Sequence, residues 1–187
     1  MKFYYVFEEG LHLGEQKNFG FESPDHEIIF LGSEDILALG NPEGHDTTVP
    51  IMLDLVSRGD KCLGLKANGK IVGFTWFRFD RFEYPPSKGF LLRENEAYLY
   101  DMFILKDYRG SNLAPLLRYR CYQELGKIGR TVLYSVSLIP NAPAIAFKKK
   151  LNARTLSLGL YIRLGKGLHF NLTLKKYDRS VPVKIVK

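Results

Sequence analysis

The spacing of apolar side chains changes period repeatedly along this chain, and each change marks an element. The aromatic run Phe3-Tyr4-Tyr5-Val6-Phe7 predicts a strand over residues 1–7, and Glu27-Ile28-Ile29-Phe30-Leu31 predicts another. Ser33-Glu34-Asp35-Ile36 reads as a helix start, with Ser33 as the cap and acidic residues in the first turn. Residues 41–47 form a loop rich in Gly, Pro and Asp. Met52, Leu53, Leu55 and Val56 then recur at helical spacing over 49–58. Residues 61–67 and 70–79 read as a hairpin closed by Asn68-Gly69. A Pro- and Gly-rich loop over 85–89 precedes a strand over 96–105.

Leu113, Leu116, Leu117, Cys121, Leu125 and Ile128 predict a helix over 112–128. A strand over 131–138, a helix over 142–151 and a hairpin of 155–164 with 168–174 complete the chain, the last turn being Gly165-Lys166-Gly167. No repeat or linker interrupts this order, so residues 1–187 are read as one domain. The strands on either side of the 112–128 helix are expected to be parallel, through a right-handed crossover.

Composition narrows the setting. The apolar and charged fractions are those of a soluble globular protein. No apolar run approaches the ~20 residues that span a bilayer, and residues 1–9 turn acidic too soon for a signal peptide. Cys62 and Cys121, placed in a strand and on a helix's apolar side, read as buried reduced thiols and point to the cytoplasm. The net charge of +7 is biased to the C-terminal half. It suits a solvated surface, an anionic ligand or nucleic acid. The chain carries no RNA-binding signature and no Cys/His spacing for a metal, so nucleic acid is the minority reading and no metal is expected.

The densest chemistry lies between Glu96 and Ala114. A strand runs into Arg109-Gly110-Ser111-Asn112, and a helix begins at once. Such a turn points several unpartnered N–H groups at one spot, and the helix dipole and Arg109 add positive potential. That arrangement suits a phosphate or pyrophosphate, although an ordinary strand–loop–helix connection would look much the same.

Arg109, Asn112 and Ala114 occupy the fixed positions of the Arg/Gln-x-x-Gly-x-Gly/Ala turn of the GNAT (Gcn5-related N-acetyltransferase) superfamily, which this segment resembles. Asn141, Ala144, Phe147 and Lys150 match a second family segment at the expected distance. The resemblance covers roughly residues 27–177. It implies an α/β (α+β) fold: a mixed, mostly antiparallel twisted sheet of about seven strands with helices on both faces. It also implies a V-shaped splay between two central parallel strands, with acetyl-CoA as co-substrate. Met102, Phe103 and Ile104 would contact its pantetheine arm, and the backbone of Gly110, Ser111, Asn112, Leu113 and Ala114 its pyrophosphate. Asn141 and Phe147 would flank that arm, and Lys150 would meet phosphate or adenine. Two departures stand out in the turn. Pro115 has no N–H to give, and Asn112 replaces a glycine, though Asn tolerates left-handed backbone better than most residues.

The implied reaction is acyl transfer to a primary amine, which needs a proton acceptor, oxyanion stabilisation and an acid for the thiolate. Lys148 stands where the family carries a tyrosine acid. It would serve as acid if burial and neighbouring cations lowered its pKa; otherwise it is an exposed side chain. Glu96 is the first candidate base, acting through water, Asp101 the second, and Tyr100 could order that water. Regular alternation puts Glu96, Tyr98, Tyr100 and Met102 on one face and Leu99, Asp101 and Phe103 on the other. Each also has a plain structural use, as a strand end, a core side chain or a hydrogen bond. His26 and His169 are isolated.

Trp76, Phe79, Phe82, Tyr84, Phe90 and Tyr161 suit a sugar or an apolar amine as acceptor, and equally a core. The basic surplus argues against a polycation and for an anionic acceptor such as a nucleotide-linked amino sugar. The reading is therefore a cytoplasmic N-acetyltransferase of a small-molecule amine. Protein or peptide acetylation and a non-catalytic acyl-CoA-binding module are the alternatives. An exposed terminal strand could support a homodimer.

Overall fold

A computed structural model describes residues 1–11, 25–84, 89–165 and 168–177. Most of the expected 85–89 loop, the Lys166-Gly167 turn and the segment after Tyr177 lie outside them. The strands are β1 (Lys2–Glu9), β2 (His26–Phe30), β3 (Lys61–Ala67), β4 (Lys70–Arg78), β5 (Arg81–Glu83), β6 (Gly89–Leu91), β7 (Glu96–Ile104), β8 (Val132–Leu138), β9 (Arg154–Leu164) and β10 (Leu168–Lys176). The helices are α1 (Ser33–Leu39), α2 (Val49–Ser57), α3 (Leu113–Lys127) and α4 (Ala142–Lys150).

Eight strands form one sheet in the order β10-β9-β1-β8-β7-β4-β3-β2, and β5 pairs with β6 apart from it. Among the described strands only β7 and β8, joined through α3, run parallel. The hairpin at Asn68-Gly69 forms as read, both residues having positive φ as the turn type demands. Ser33 is not the cap of α1 but its first residue. Gly32 takes the cap position, and Asp35 reaches back to accept the Gly32 N–H at 3.1 Å.

The sheet carries helices on both faces. Leu63, Phe77 and Leu99 pack under α3 with Leu117 and Leu125. On the other face Phe74 and Trp76 pack with Ile36 of α1 and Met52 of α2. Cys62 and Cys121 are buried free thiols, and burial pushes the Cys121 thiol up to about 12. Among the described residues no helix is long and apolar enough to cross a membrane.

The eighth strand of the large sheet has a specific origin. β1 lies inside the sheet, between β8 and β9, pairing antiparallel with both. Its run of aromatic and β-branched residues suits a fully flanked strand. This position sets one wall of the site, because β1 occupies the edge of β8 opposite to β7.

Candidate functional site

The parallel pairing of β7 and β8 is short. It runs from Glu96 opposite Val132 to Leu99 opposite Ser135, and no further. Beyond it the backbone of Asp101 turns left-handed, with φ of 43°, and the β4–β7 register shifts between Phe74 and Trp76. This bulge inserts one residue and bends the strand away from its neighbour. It also breaks the expected alternation. Met102 packs with Leu99 on the α3 side, while Phe103 packs with Tyr100 on the other.

The slot opened by the bulge leads into a cleft of about 670 Å³. Met102, Phe103 and Ile104 line it from β7, and Arg109, Gly110 and Asn112 from the turn. Leu113, Ala114 and Pro115 line it from α3, and Asn141, Phe147 and Lys150 from around α4. Of the residues assigned to the cofactor, only Ser111 stays off the lining; its hydroxyl donates to the Tyr108 carbonyl at 2.6 Å.

Gly110 and Asn112 both have positive φ, 82° and 59°. Asn112 thus adopts the left-handed conformation that a glycine would provide, and caps α3. Its side-chain oxygen accepts from Lys150 Nζ at 3.2 Å, which draws the end of α4 toward the turn. Arg109 clamps the strand end: its Nε donates to the Ile104 carbonyl at 2.9 Å, and its guanidinium lies 5.1 Å above the Phe103 ring. The Asn141 oxygen accepts the Ala144 N–H at 3.2 Å to cap α4, so only its amide NH₂ is left to face the cleft. The first-turn N–H groups of α3 have no intrahelical acceptor, and Pro115 subtracts one from the set. A phosphate-bearing ligand fits this end of the cleft, and an extended arm fits the bare strand edge leading to it.

Lys148 is not exposed. It is 2% accessible, and its ammonium donates to Ser135 Oγ at 2.7 Å, Ser137 Oγ at 2.8 Å and the Val136 carbonyl at 3.2 Å. All three protons are therefore placed. Glu9 Oε1 lies 3.6 Å away and also accepts from Ser135. Arg118 Nε stands 3.7 Å from the same carboxylate, and Tyr122 donates to it. Burial lowers the Lys148 pKa to about 8; Glu9 opposes the shift and Arg118 adds to it. Burial alone would raise the Glu9 carboxyl, but Arg118, Lys148 and the two hydroxyl donors outweigh it and hold it low. The polar faces of α3 and α4 thus meet over β1 and β8 in a core of two cations and one carboxylate. The cause is β1, which brings Glu9 there.

The base candidates are separated by the structure. Glu96 sits at the start of β7, five residues before the bulge, or ~16 Å along a strand. It is buried, accepting from Tyr134 OH at 3.0 Å and the Arg93 N–H at 2.9 Å. The fold does not bring it to the slot. Tyr100 donates to Asp60 at 2.5 Å, and Arg78 holds the same carboxylate oxygen at 2.6 Å while lying over the Tyr100 ring. Burial, with Asp60 beside it, pushes the Tyr100 phenol well above its ordinary range.

Asp101 does lie at the slot. Its two oxygens meet His45 Nε2 at 2.9 Å and Thr47 Oγ1 at 3.2 Å. His45 Nδ1 faces the Thr47 carbonyl at 3.1 Å. The imidazole packs edge-on to Phe74 and tilted on Phe103. His45 is the residue that sequence reasoning passed over. Its partner is 56 positions away, and only its place in the loop between the two early helices was readable.

A match to the acetyltransferase (GNAT) family spans residues 33–153. The chain belongs to that family. Solved structures of similar fold include a GCN5-related N-acetyltransferase from Kribbella flavida (TM-score 0.57, 10% identity, 83% of this chain and 55% of that one). A second, from Sphaerobacter thermophilus, has TM-score 0.58 and 10% identity over 84% of this chain and 49% of its own. YncA from Salmonella typhimurium, solved with its cofactor acetyl-CoA, has TM-score 0.55 and 17% identity over 86% of this chain and 99% of its own. This chain spans 48% to 61% of the length of the first four structures it matches. No curated protein matches it.

Proposed function

We propose that this protein transfers an acetyl group from acetyl-CoA to the primary amine of a small molecule. The observation that carries the reading is the bare edge of β7 beyond Leu99, continuous with a cleft that ends on the N-terminus of α3. When bound, acetyl-CoA supplies an activated thioester carbonyl; everything else falls to the chain. The turn N–H groups hold the pyrophosphate, and Lys150 and the α3 dipole add positive potential. The unpaired amides beyond the bulge offer donors to a developing oxyanion. Asn141 NH₂ and the Phe147 ring flank the arm.

Lys148 acts as the acid, through Ser137. The Ser137 oxygen accepts from Lys148, which leaves its own proton free to donate into the splayed half of β8. A lysine titrating near 8 is charged at neutral pH and gives up its proton more readily than an ordinary one. Asp101 acts as a positioning residue, because His45 and Thr47 occupy both its oxygens. It ties the 41–47 loop to the bulge, and the amine proton leaves through water at the slot.

The test is calorimetric titration with acetyl-CoA, CoA and 3′-dephospho-CoA, repeated on an Arg109→Ala, Asn112→Asp double variant. Micromolar binding by the natural protein, lost in the variant, is the expected result. Absence of binding at millimolar ligand would overturn the reading.

A further inference from the structure

The hairpin of β9 and β10 has two unlike faces. Leu160, Ile162 and Leu164 alternate along β9, and Leu172, Phe170 and Leu168 stand directly opposite them on β10. Side chains opposite one another across a ladder point to the same side of the sheet. The register carries this stripe on to β1, where Phe3 is opposite Leu160 and Tyr5 is opposite Leu158. Tyr5 is also opposite Ser137, which accepts from Lys148, so the stripe lies on the side of the sheet that α4 occupies.

The Lys148 side chain of α4 reaches Ser135, Ser137 and the Phe7 ring, on β8 and β1. Further out, none of the apolar side chains of the stripe joins a buried core among the described residues. Leu164 and Leu168 are each 54% exposed, Leu172 50% and Phe170 44%. The other side of β10 is engaged instead. Asn171 accepts from Tyr4 OH, and His169 shares a hydrogen bond with Tyr161 OH, both at 2.6 Å. These bonds oppose the one-residue slip that would turn the stripe to the other side.

Leu158, Leu160, Ile162, Phe3 and Tyr5 are half-buried and widen the stripe. Together these side chains offer on the order of 500 Å² of apolar surface, at the upper end of what single chains leave bare and more than half of the roughly 800 Å² that a stable interface takes from each partner. From Leu164 to Leu160 and from Leu168 to Leu172 this side carries no charge, so a charged partner finds nothing on it to pair with. A lipid surface would also have to take in the outer backbone edge of β10, which no described strand pairs. A flat, apolar, uncharged surface of matching length is what the same hairpin on a second copy presents. Two such faces laid antiparallel pack as sheet on sheet. Lys175 stands at one end of the stripe, opposite Leu158. In that arrangement it lies roughly 30 Å from its counterpart, beyond the Debye length at physiological salt.

We propose that this face is a homodimer interface, on which the β9–β10 hairpin of a second copy is laid across the same hairpin of the first. The interface stands apart from the acyl-transfer site. The cleft is lined from β7, α3, α4 and the turns beside them, with no residue of β9 or β10. Each copy therefore keeps a cleft of its own.

The experiment is sedimentation velocity on the full chain over about 1 to 100 μM, the range in which a micromolar dimer dissociates. Natural protein is compared with Phe170→Glu and Leu168→Lys on the face, and with Leu37→Lys, an exposed apolar position on α1, as control. Both face variants replace side chains that are about half exposed in the single chain, so each is expected to fold, and far-UV circular dichroism checks it. Acetyl-CoA binding by calorimetry is followed in parallel.

The natural protein and Leu37→Lys should sediment as dimers. Phe170→Glu and Leu168→Lys should each raise the dimer dissociation constant roughly thirtyfold or more, as loss of a central apolar contact does, and leave acetyl-CoA affinity unchanged. A natural protein that stays monomeric throughout the range, or a dimer that survives both face substitutions, overturns the interface. If that monomer cosediments with vesicles of equal phosphatidylcholine and phosphatidylglycerol and Phe170→Glu does not, a lipid surface takes the face instead. If the natural protein is a dimer that both face variants break but binds no acetyl-CoA, the interface stands and only the acyl-transfer reading falls.

Discussion

Replacing Lys148 by Met should leave the protein no less stable at pH 7 but change how its stability responds to pH. The lysine is buried beside Glu9, with Arg118 as a second cation on the same carboxylate. Folding lowers its pKa from 10.5 to about 8, so the native state binds this proton less tightly than the unfolded chain does. Below about pH 8 the native protein carries the full penalty of a buried charge. As pH rises toward 10.5 the native lysine is already neutral while the unfolded one is still charged, and stability rises. That interval at ~1.4 kcal/mol per pH unit amounts to about 3 kcal/mol.

The Met variant has no such group. The stability of the natural protein minus that of Lys148→Met should therefore climb by about 3 kcal/mol between pH 8 and 10.5. Urea unfolding of both proteins at a series of pH values in this window measures it. A difference that stays flat or falls would refute the lowered pKa and mean that Glu9 and the three acceptors fully offset the burial of the charge. Glu9→Gln supplies the contrast, since it strands both cations and should lose about 3–5 kcal/mol at pH 7.

Other outcomes follow from the same geometry. If Lys148 is the acid, kcat should fall above about pH 8 as its proton is lost, and Lys148→Met should lack that alkaline limb in a pH–rate profile. Asn112→Gly should keep acetyl-CoA affinity, whereas Asn112→Val, a β-branched residue forced to φ of 59°, should lose about 1–2 kcal/mol of stability and weaken binding in calorimetry. His45→Ala should free the 41–47 loop from Asp101; limited proteolysis should cut there faster, with kcat reduced while CoA affinity is kept. Gly159→Ala would place a methyl 2.2 Å from the Tyr4 ring and should cost about 1–3 kcal/mol in urea unfolding.

The elements were legible because their signals are local. Asn68-Gly69 names its own turn, and the apolar spacing of α3 names its own helix. The cleft was legible for the same reason: its turn and its α4 residues each form a contiguous segment, and the crossover rule brings the segments together. What was not legible depends on one residue or on distant pairs. The left-handed backbone at Asp101 moved Met102 to the other face, and aspartate at that position gives no warning of it. Lys148 looked like a solvated helix residue because its anion lies on β1, 139 positions earlier in the chain. His45 was hidden likewise, as half of a pair whose other half sits on a different element.

The place of β1 has a bearing on how the chain reaches this structure. Tyr4 pairs with Leu138 on one side and Gly159 on the other. Residues made early must wait for partners made more than a hundred positions later. Until β8 and β9 emerge, a sticky aromatic segment has neither edge covered. Contacts of such long sequence separation slow folding and lengthen exposure to aggregation. Residues 2–9 cannot be locked on both edges until β8 and β9 are in place, and they then join the two in the manner of a keystone.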